Sequence, residues 1–336
     1  MEKQKVLWMN SLRGIACLIV MLSHIGSIHP QYGTYFNGCG KIGVWLFFIL
    51  SGFWFMLPLC KYNKKISFAG ILILYVKKLK QLYLVYTIVL LTALGTGSFS
   101  YTKEFFQHLL LIKGQGHFWY MPVIIKFFFV SPIFWFLKNI IQSDAYFGIV
   151  LIVLGIIYAL MFPYTNYPEN SIYLYWYMPL LILGMILSVV YIHLESRKIP
   201  SCIFDIIVVL MFIFILSITP WGRQLLWDKQ PSSYLQNKYL LIGGIWCAII
   251  LSMLCGTFWK NILSNSRFLQ WVGDLSYPLY LIHYLVLVKI NAFHISWISK
   301  GILTVCVSGG IAWIFSHVMQ GTLKQCFMDR TGEKEK

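Results

Sequence analysis

Long apolar runs separated by short polar clusters recur from one end of this chain to the other. A helix that crosses a bilayer needs about 20 predominantly apolar residues. Ten stretches qualify, at about 6–28, 42–60, 73–96, 118–137, 145–163, 172–192, 203–221, 239–259, 271–290 and 301–320. The pattern predicts an all-α polytopic membrane protein of about ten transmembrane helices. No connection between the stretches is long enough for a soluble domain. Residues 1–322 therefore read as a single integral-membrane domain and 323–336 as a short polar tail.

Composition supports the same solvent. Of 336 residues, 59% are hydrophobic and only 11% are charged, against about a quarter charged in soluble domains. Lys and Arg gather at Lys3 and Lys5, between Lys61 and Lys80, at Arg197 and Lys198, at Lys260 and Arg267, and after Lys324. If ten helices alternate, all of these fall on one side, and short cytoplasmic loops are where such an excess belongs. Both termini are thus expected in the cytoplasm. This topology and attraction to anionic lipid headgroups account for the net charge of +16, so membrane lipids are expected partners and nucleic acid is not. The basic stretch Lys61 to Lys80 also suits a polyanionic cytosolic ligand. The eight cysteines show no metal-ligand spacing and read as packing residues, with no metal site expected.

The first apolar stretch holds two ionisable residues, Arg13 and His24, in "RGIACLIVMLSH". The motif and its flanks lack a small-residue cleavage site, so a retained helix is expected rather than a cleaved signal. An arginine well inside a membrane helix costs roughly 2.5–3.5 kcal/mol on insertion scales, which makes it a functional-site candidate by default. The offset of eleven residues corresponds to three turns plus roughly 20°, with a rise of roughly 16 Å. Both side chains thus fall on one stripe of the helix. Each has a plain structural explanation when taken singly: a buried imidazole satisfied by a neighbouring helix, and an arginine that snorkels to the surface.

Further along come "GVWLFFILSGF" from Gly43, "YVKKLKQLY" from Tyr75, "HFWYM" from His117 with Pro132 beyond it, and "GDLSYPLYLIHY" from Gly273. With Arg-x10-His before them, these segments in this order resemble the membrane acyltransferase 3 family. The likeness covers residues 10 to 135 and 271 to 284, and "HFWYM" is similar to the stand-alone branch that lacks an appended esterase-like domain.

The resemblance implies an O-acyltransferase, most often an O-acetyltransferase. It takes an acyl group from cytosolic acyl-coenzyme A, with acetyl-coenzyme A the usual donor substrate and no permanently bound cofactor. Similar proteins deliver that group to a hydroxyl of a carbohydrate: O-antigen, exopolysaccharide, peptidoglycan or a lipid-linked sugar. The resemblance also implies a bacterial inner membrane. It makes His24 the catalytic histidine and Arg13 its partner. Lys77, Lys78, Lys80 and Ser51 become donor-binding candidates, and His117, Trp119, Tyr277, Tyr280 and His283 line the chamber or meet the acceptor.

Three positions depart from the family's pattern: Asn10 and Trp45 stand where acidic residues are usual, and Gln81 replaces a second basic residue. Two chemistries fit His24, as general base or as a nucleophile that carries the acyl group. The rival reading is a transporter or flippase for a glycan or lipid-linked sugar, which predicts symmetric halves with broken helices.

Overall fold

In the computed structural model, residues 7–61, 68–99, 101–114, 116–194, 202–230 and 234–331 are described. Lys64 and Lys65 of the basic stretch fall outside them, as do Lys3, Lys5, Arg197 and Lys198. Among the described residues the structure is helical, with no strand.

The first two expected spans become α1 (Leu7–Ser27) and α2 (Gly40–Lys61), and the third becomes α3 (Phe68–Gly95). A short α4 (Thr102–Leu109) precedes the fourth, which is two pieces, α5 (Tyr120–Val130) and α6 (Pro132–Ile140). The break has a local cause, because Pro132 has no N–H to continue α5 and suits the first turn of a new helix. The turn into α7 (Asp144–Met161) is fixed by Lys138, whose Nζ lies 3.0 Å from Asp144, and by Ser143, which caps the first turn.

The sixth span differs most from its hydropathy. Residues 172–177 were expected inside it, yet α8 begins later, at Met178–Leu194. The preceding segment folds back on itself: Tyr177 donates through its hydroxyl to the Ser171 carbonyl at 2.8 Å, and Tyr167 and Tyr177 join hydroxyls at 2.8 Å. Hydropathy cannot register this, since aromatic residues score alike in a span and in a buried connection.

The seventh and eighth spans are bent pairs. α9 (Cys202–Ile218) turns by 87° into α10 (Pro220–Trp227), and α11 (Tyr239–Cys255) by 93° into α12 (Phe258–Asn265). Thr219 accepts from the Gly222 N–H at 3.1 Å, and Pro220 opens α10, so this corner is written in capping chemistry. α13 (Arg267–Asn291) starts at Ser266, whose Oγ accepts from the Leu269 N–H. α14 (Trp297–Thr331) is continuous through the start of the expected tail. Among the described residues seven helices or helix runs are long and apolar enough to cross a membrane, up to nine if each bent pair is one span, and α8 adds a shorter apolar helix of 17 residues.

α1, α2, α8 and α13 form the centre. α7, α9 and α14 turn many Ile, Leu and Val side chains outward, the surface that lipid covers. Small residues set the central spacing. A Cβ on Gly52 would stand 2.0 Å from the Leu181 carbonyl oxygen, and one on Gly184 would stand 1.9 Å from that of Ile49. α2 and α8 thus touch backbone to backbone, and Ser188 donates across the joint to the Phe53 carbonyl at 2.6 Å.

Candidate active site

α1 and α13 lie side by side in the same direction, and a second pair of glycines brings them together. A Cβ on Gly14 would stand 2.2 Å from the Leu269 carbonyl oxygen, and one on Gly273 would stand 2.1 Å from that of Asn10. This approach aligns polar groups along the seam. Asn10 donates through Nδ2 to Asp274 at 2.8 Å and to the Gln270 carbonyl at 3.0 Å. One turn on, Arg13 donates to Ser276 Oγ at 3.1 Å. Farther along, the His24 ring lies 5.4 Å from that of His283 and 5.1 Å from that of Tyr284. The stripe read from the spacing is real: Arg13 and His24 both face α13.

Asp274 lies two turns inside α13. It partners Asn10, so the carboxylate missing at position 10 is supplied from across the seam.

Beside Arg13 a cavity of about 740 Å³ opens between α1, α2, α3, α5 and α13. Its polar lining includes Asn10, Arg13, Ser51, Lys78, Tyr120, Ser276, Tyr277 and Tyr280, and the rest of its wall is largely aromatic and aliphatic. Among the described residues no carboxylate lines it, so Arg13 and Lys78 leave it a cationic chamber. The volume falls in the usual range for small-molecule sites, about 300–1,000 Å³. Tyr277 is held by its hydroxyl on the Leu82 carbonyl.

The cavity stops short of His24. Phe47, Tyr120 and Tyr280 close it, with ring centroids 6.2 Å apart for Phe47 and Tyr120, 6.2 Å for Phe47 and Tyr280 and 5.3 Å for Tyr120 and Tyr280. Beyond them His24, His283 and His117 gather. His117 is 6.1 Å from His283 and 5.0 Å from Tyr284, ring to ring. Tyr280 belongs to both sides: it lines the cavity, sits 5.9 Å from the His283 ring and donates to the His117 carbonyl at 2.9 Å.

The expected site residues therefore divide. Arg13, Ser51, Lys78, Tyr277 and Tyr280 share the cavity, while His24, His117 and His283 form the cluster above it. All three lysines are exposed on α3, and Lys77 and Lys80 lie outside the lining because neighbours one and two positions from Lys78 point 100° and 200° away from it. Trp119 is buried elsewhere, with ring centroids 6.2 Å from Trp45 and 5.3 Å from Tyr177. Lys126, inside the fourth apolar stretch, donates to the Ile172 carbonyl at 3.0 Å and is not among the cavity's lining.

One residue escaped the sequence altogether. Lys41, at the start of α2, is 7% exposed and sits over the Trp119 ring, 4.1 Å from its centroid, with the side-chain oxygen of Asn170 as acceptor. In the sequence it is simply a lysine at a span end. Trp45, where the resemblance leads one to expect an acid, is fully buried among Phe48, Trp119, Tyr167, Tyr177 and Tyr239.

A family model for an acyltransferase domain, that of the acyltransferase 3 family, matches residues 6–317. The chain belongs to this family. No curated relative and no solved structure matches it. The family match spans α7 to α12, where the sequence offered only hydropathy, and makes this a membrane acyltransferase. For acyl transfer, an acyltransferase 3 site needs a place for an activated acyl group, a base or nucleophile, and exclusion of water. Here a cationic chamber and a cluster of histidines lie on either side of an aromatic partition. Among the described residues no group of three or more His, Cys, Asp or Glu side chains is arranged to hold a metal ion.

Proposed function

We propose that this protein is a membrane O-acyltransferase that moves an acyl group, with acetyl as the first choice, from acyl-coenzyme A to a hydroxyl of a cell-surface or lipid-linked carbohydrate. The observation that carries this reading is the cavity itself: two cations, Arg13 and Lys78, in an aromatic chamber without a carboxylate, directly below the histidine cluster. Such a chamber favours an anionic ligand with an apolar arm, as coenzyme A is.

Arg13 would orient the donor, since its planar fork suits phosphate and carbonyl oxygens, and its bond to Ser276 keeps that fork on the seam. Lys78 and Ser51 would complete the donor side. The basic residues of the sequence around that end favour a cytoplasmic side for it, with the histidine cluster toward the outer face and the acceptor reaching it from there. His24 would take the proton of the attacking sugar hydroxyl, a role worth about 10²–10⁴-fold in rate, or would carry the acyl group outward. His117 and Tyr284 stand where an acceptor sugar would pass. A bacterial inner membrane is the setting that fits this chemistry.

The test is transfer of radiolabel from acetyl-coenzyme A to glycan in membranes carrying wild type or His24→Ala, matched for protein level. Label that depends on His24 is the expected result. Equal label in both, or none from any short acyl donor with folded protein, overturns the reading and favours glycan transport, which net glycan movement without acyl-coenzyme A would then reveal.

A further inference from the structure

His283 is 1% exposed, and its Nδ1 lies 3.1 Å from the carbonyl oxygen of Leu279, one turn back on α13. A carbonyl oxygen only accepts, so Nδ1 carries the hydrogen and Nε2 of the neutral ring is a lone pair. That Nε2 is buried, with no donor at hydrogen-bond distance among the described residues. A buried acceptor left in this way costs roughly 1–3 kcal/mol and calls for an explanation.

The donors around it are already committed. Tyr280 gives its hydroxyl hydrogen to the His117 carbonyl, and His117 gives its Nε2 hydrogen to the Leu281 carbonyl at 3.0 Å. Tyr284, the next residue along, points about 100° away around the helix. His24 is left, its ring centroid 5.4 Å from that of His283. Two imidazoles joined by an N–H···N bond of about 3 Å have centroids roughly 5 Å apart, so a small ring rotation closes the contact.

We infer that His283 is the positioning partner of His24, its free Nε2 accepting the N–H of the His24 imidazole so that the other nitrogen of His24 faces the acceptor hydroxyl. The role rests on the acyl-transfer reading above and deepens it. As the oxygen-to-acyl-carbon bond forms and the carbon-to-sulfur bond breaks, the hydroxyl proton passes to His24, whose far N–H stays bonded to Nε2 of His283. The pair then returns one proton to the coenzyme A thiolate. A buried histidine thus does what a carboxylate does behind other catalytic histidines, without placing a negative charge inside the bilayer. The titratable and charged groups around the pair are Lys41 from α2, His117 from the turn before α5, and Tyr280 and Tyr284 from α13 itself.

The experiment compares His283→Leu and His283→Gln with wild type and His24→Ala in membranes, using labelled acetyl-coenzyme A as donor. Initial rates are taken across pH 5 to 9, and thermal stability is followed in detergent. His283→Leu, which keeps volume but no acceptor, is expected to lower kcat by about 10²-fold with the donor KM within about twofold. His283→Gln, which keeps an acceptor that does not titrate, retains more of kcat and shifts the acid limb of the pH profile. Equal losses in both variants, with lowered thermal stability and an unmoved acid limb, would make His283 a packing residue and overturn the inference. So would His283→Leu activity within threefold of wild type while His24→Ala is inactive; that outcome leaves the acyl-transfer reading standing. No label even with wild type removes both.

Discussion

Arg13 reaches Ser276 across the line where α1 and α13 pass closest, its Nη2 3.1 Å from the serine Oγ. The bond exists because Gly14 and Gly273 let two backbones meet, and it fixes the direction in which a buried guanidinium presents its remaining donors to the cavity.

Removing that anchor while keeping the charge separates the two contributions of Arg13. A hydrogen bond to a charged group is worth about 1.5–3 kcal/mol, so Ser276→Ala is expected to raise the donor KM roughly 10-fold and leave kcat near wild type. Arg13→Ala loses the cation as well and should abolish transfer. Initial-rate kinetics across donor concentration read both.

The glycine seam predicts a stability effect of unusual sharpness. An added Cβ at Gly14 or Gly273 meets a carbonyl oxygen at 2.2 Å or 2.1 Å, and neither oxygen can move unless the helices part. Gly273→Ala and Gly14→Ala should each lower the yield of monodisperse protein and its melting temperature. Gly244→Ala, where nothing lies within 4 Å of the new carbon, should be neutral or stabilising by about 0.5–1 kcal/mol. Heating followed by size-exclusion chromatography distinguishes them.

Lys41 holds the 163–177 connection down, through Asn170 and the Trp119 ring. A desolvated cation over tryptophan is worth about 2 kcal/mol. Lys41→Met should therefore lower thermal stability by that order and speed proteolysis of residues 163–171. An unchanged cleavage rate would show that the connection is held by its tyrosines alone.

His108, on α4 outside the spans, is fully buried, stacked on Phe99 at 5.1 Å and edge-on to Phe118 at 5.5 Å. Burial, and after it the charge of Lys113, pushes its pKa down to about 4 from the ordinary 6.5. Above pH 6.5 neither the folded nor the unfolded chain protonates this ring. Between 6.5 and 4 only the unfolded chain does, so stability is complete above 6.5 and falls as the pH drops toward 4, by up to roughly 3 kcal/mol. Comparing wild type with His108→Phe at pH 7.5 and pH 5 isolates the effect: the acid-induced drop in melting temperature should shrink in the variant.

The sequence by itself determined the solvent, the helical class, the positions of most of the apolar stretches, the family's motifs and the common face of Arg13 and His24. These are local properties, because hydropathy and a period of 3.6 residues need no knowledge of a neighbour. It also named five residues that line one cavity, since Arg13, Ser51, Lys78, Tyr277 and Tyr280 lie in those motifs. The late start of α8 was not legible, because the aromatic residues at 172–177 satisfy a hydropathy window equally well as a folded-back connection.

Only the tertiary structure decided which candidates meet. Backbone contacts at Gly14 with Gly273 and at Gly52 with Gly184 set the register between helices, and that register put Arg13 in a cavity and His24 beyond a partition of Phe47, Tyr120 and Tyr280. It brought Lys78 to the cavity's edge and left Lys77 and Lys80 away from it. It buried Lys41 under Trp119, and it left Nε2 of His283 unpaired beside His24. Such facts depend on distances between residues far apart in the chain, and those are fixed by how the helices pack, which no periodicity along one helix can encode.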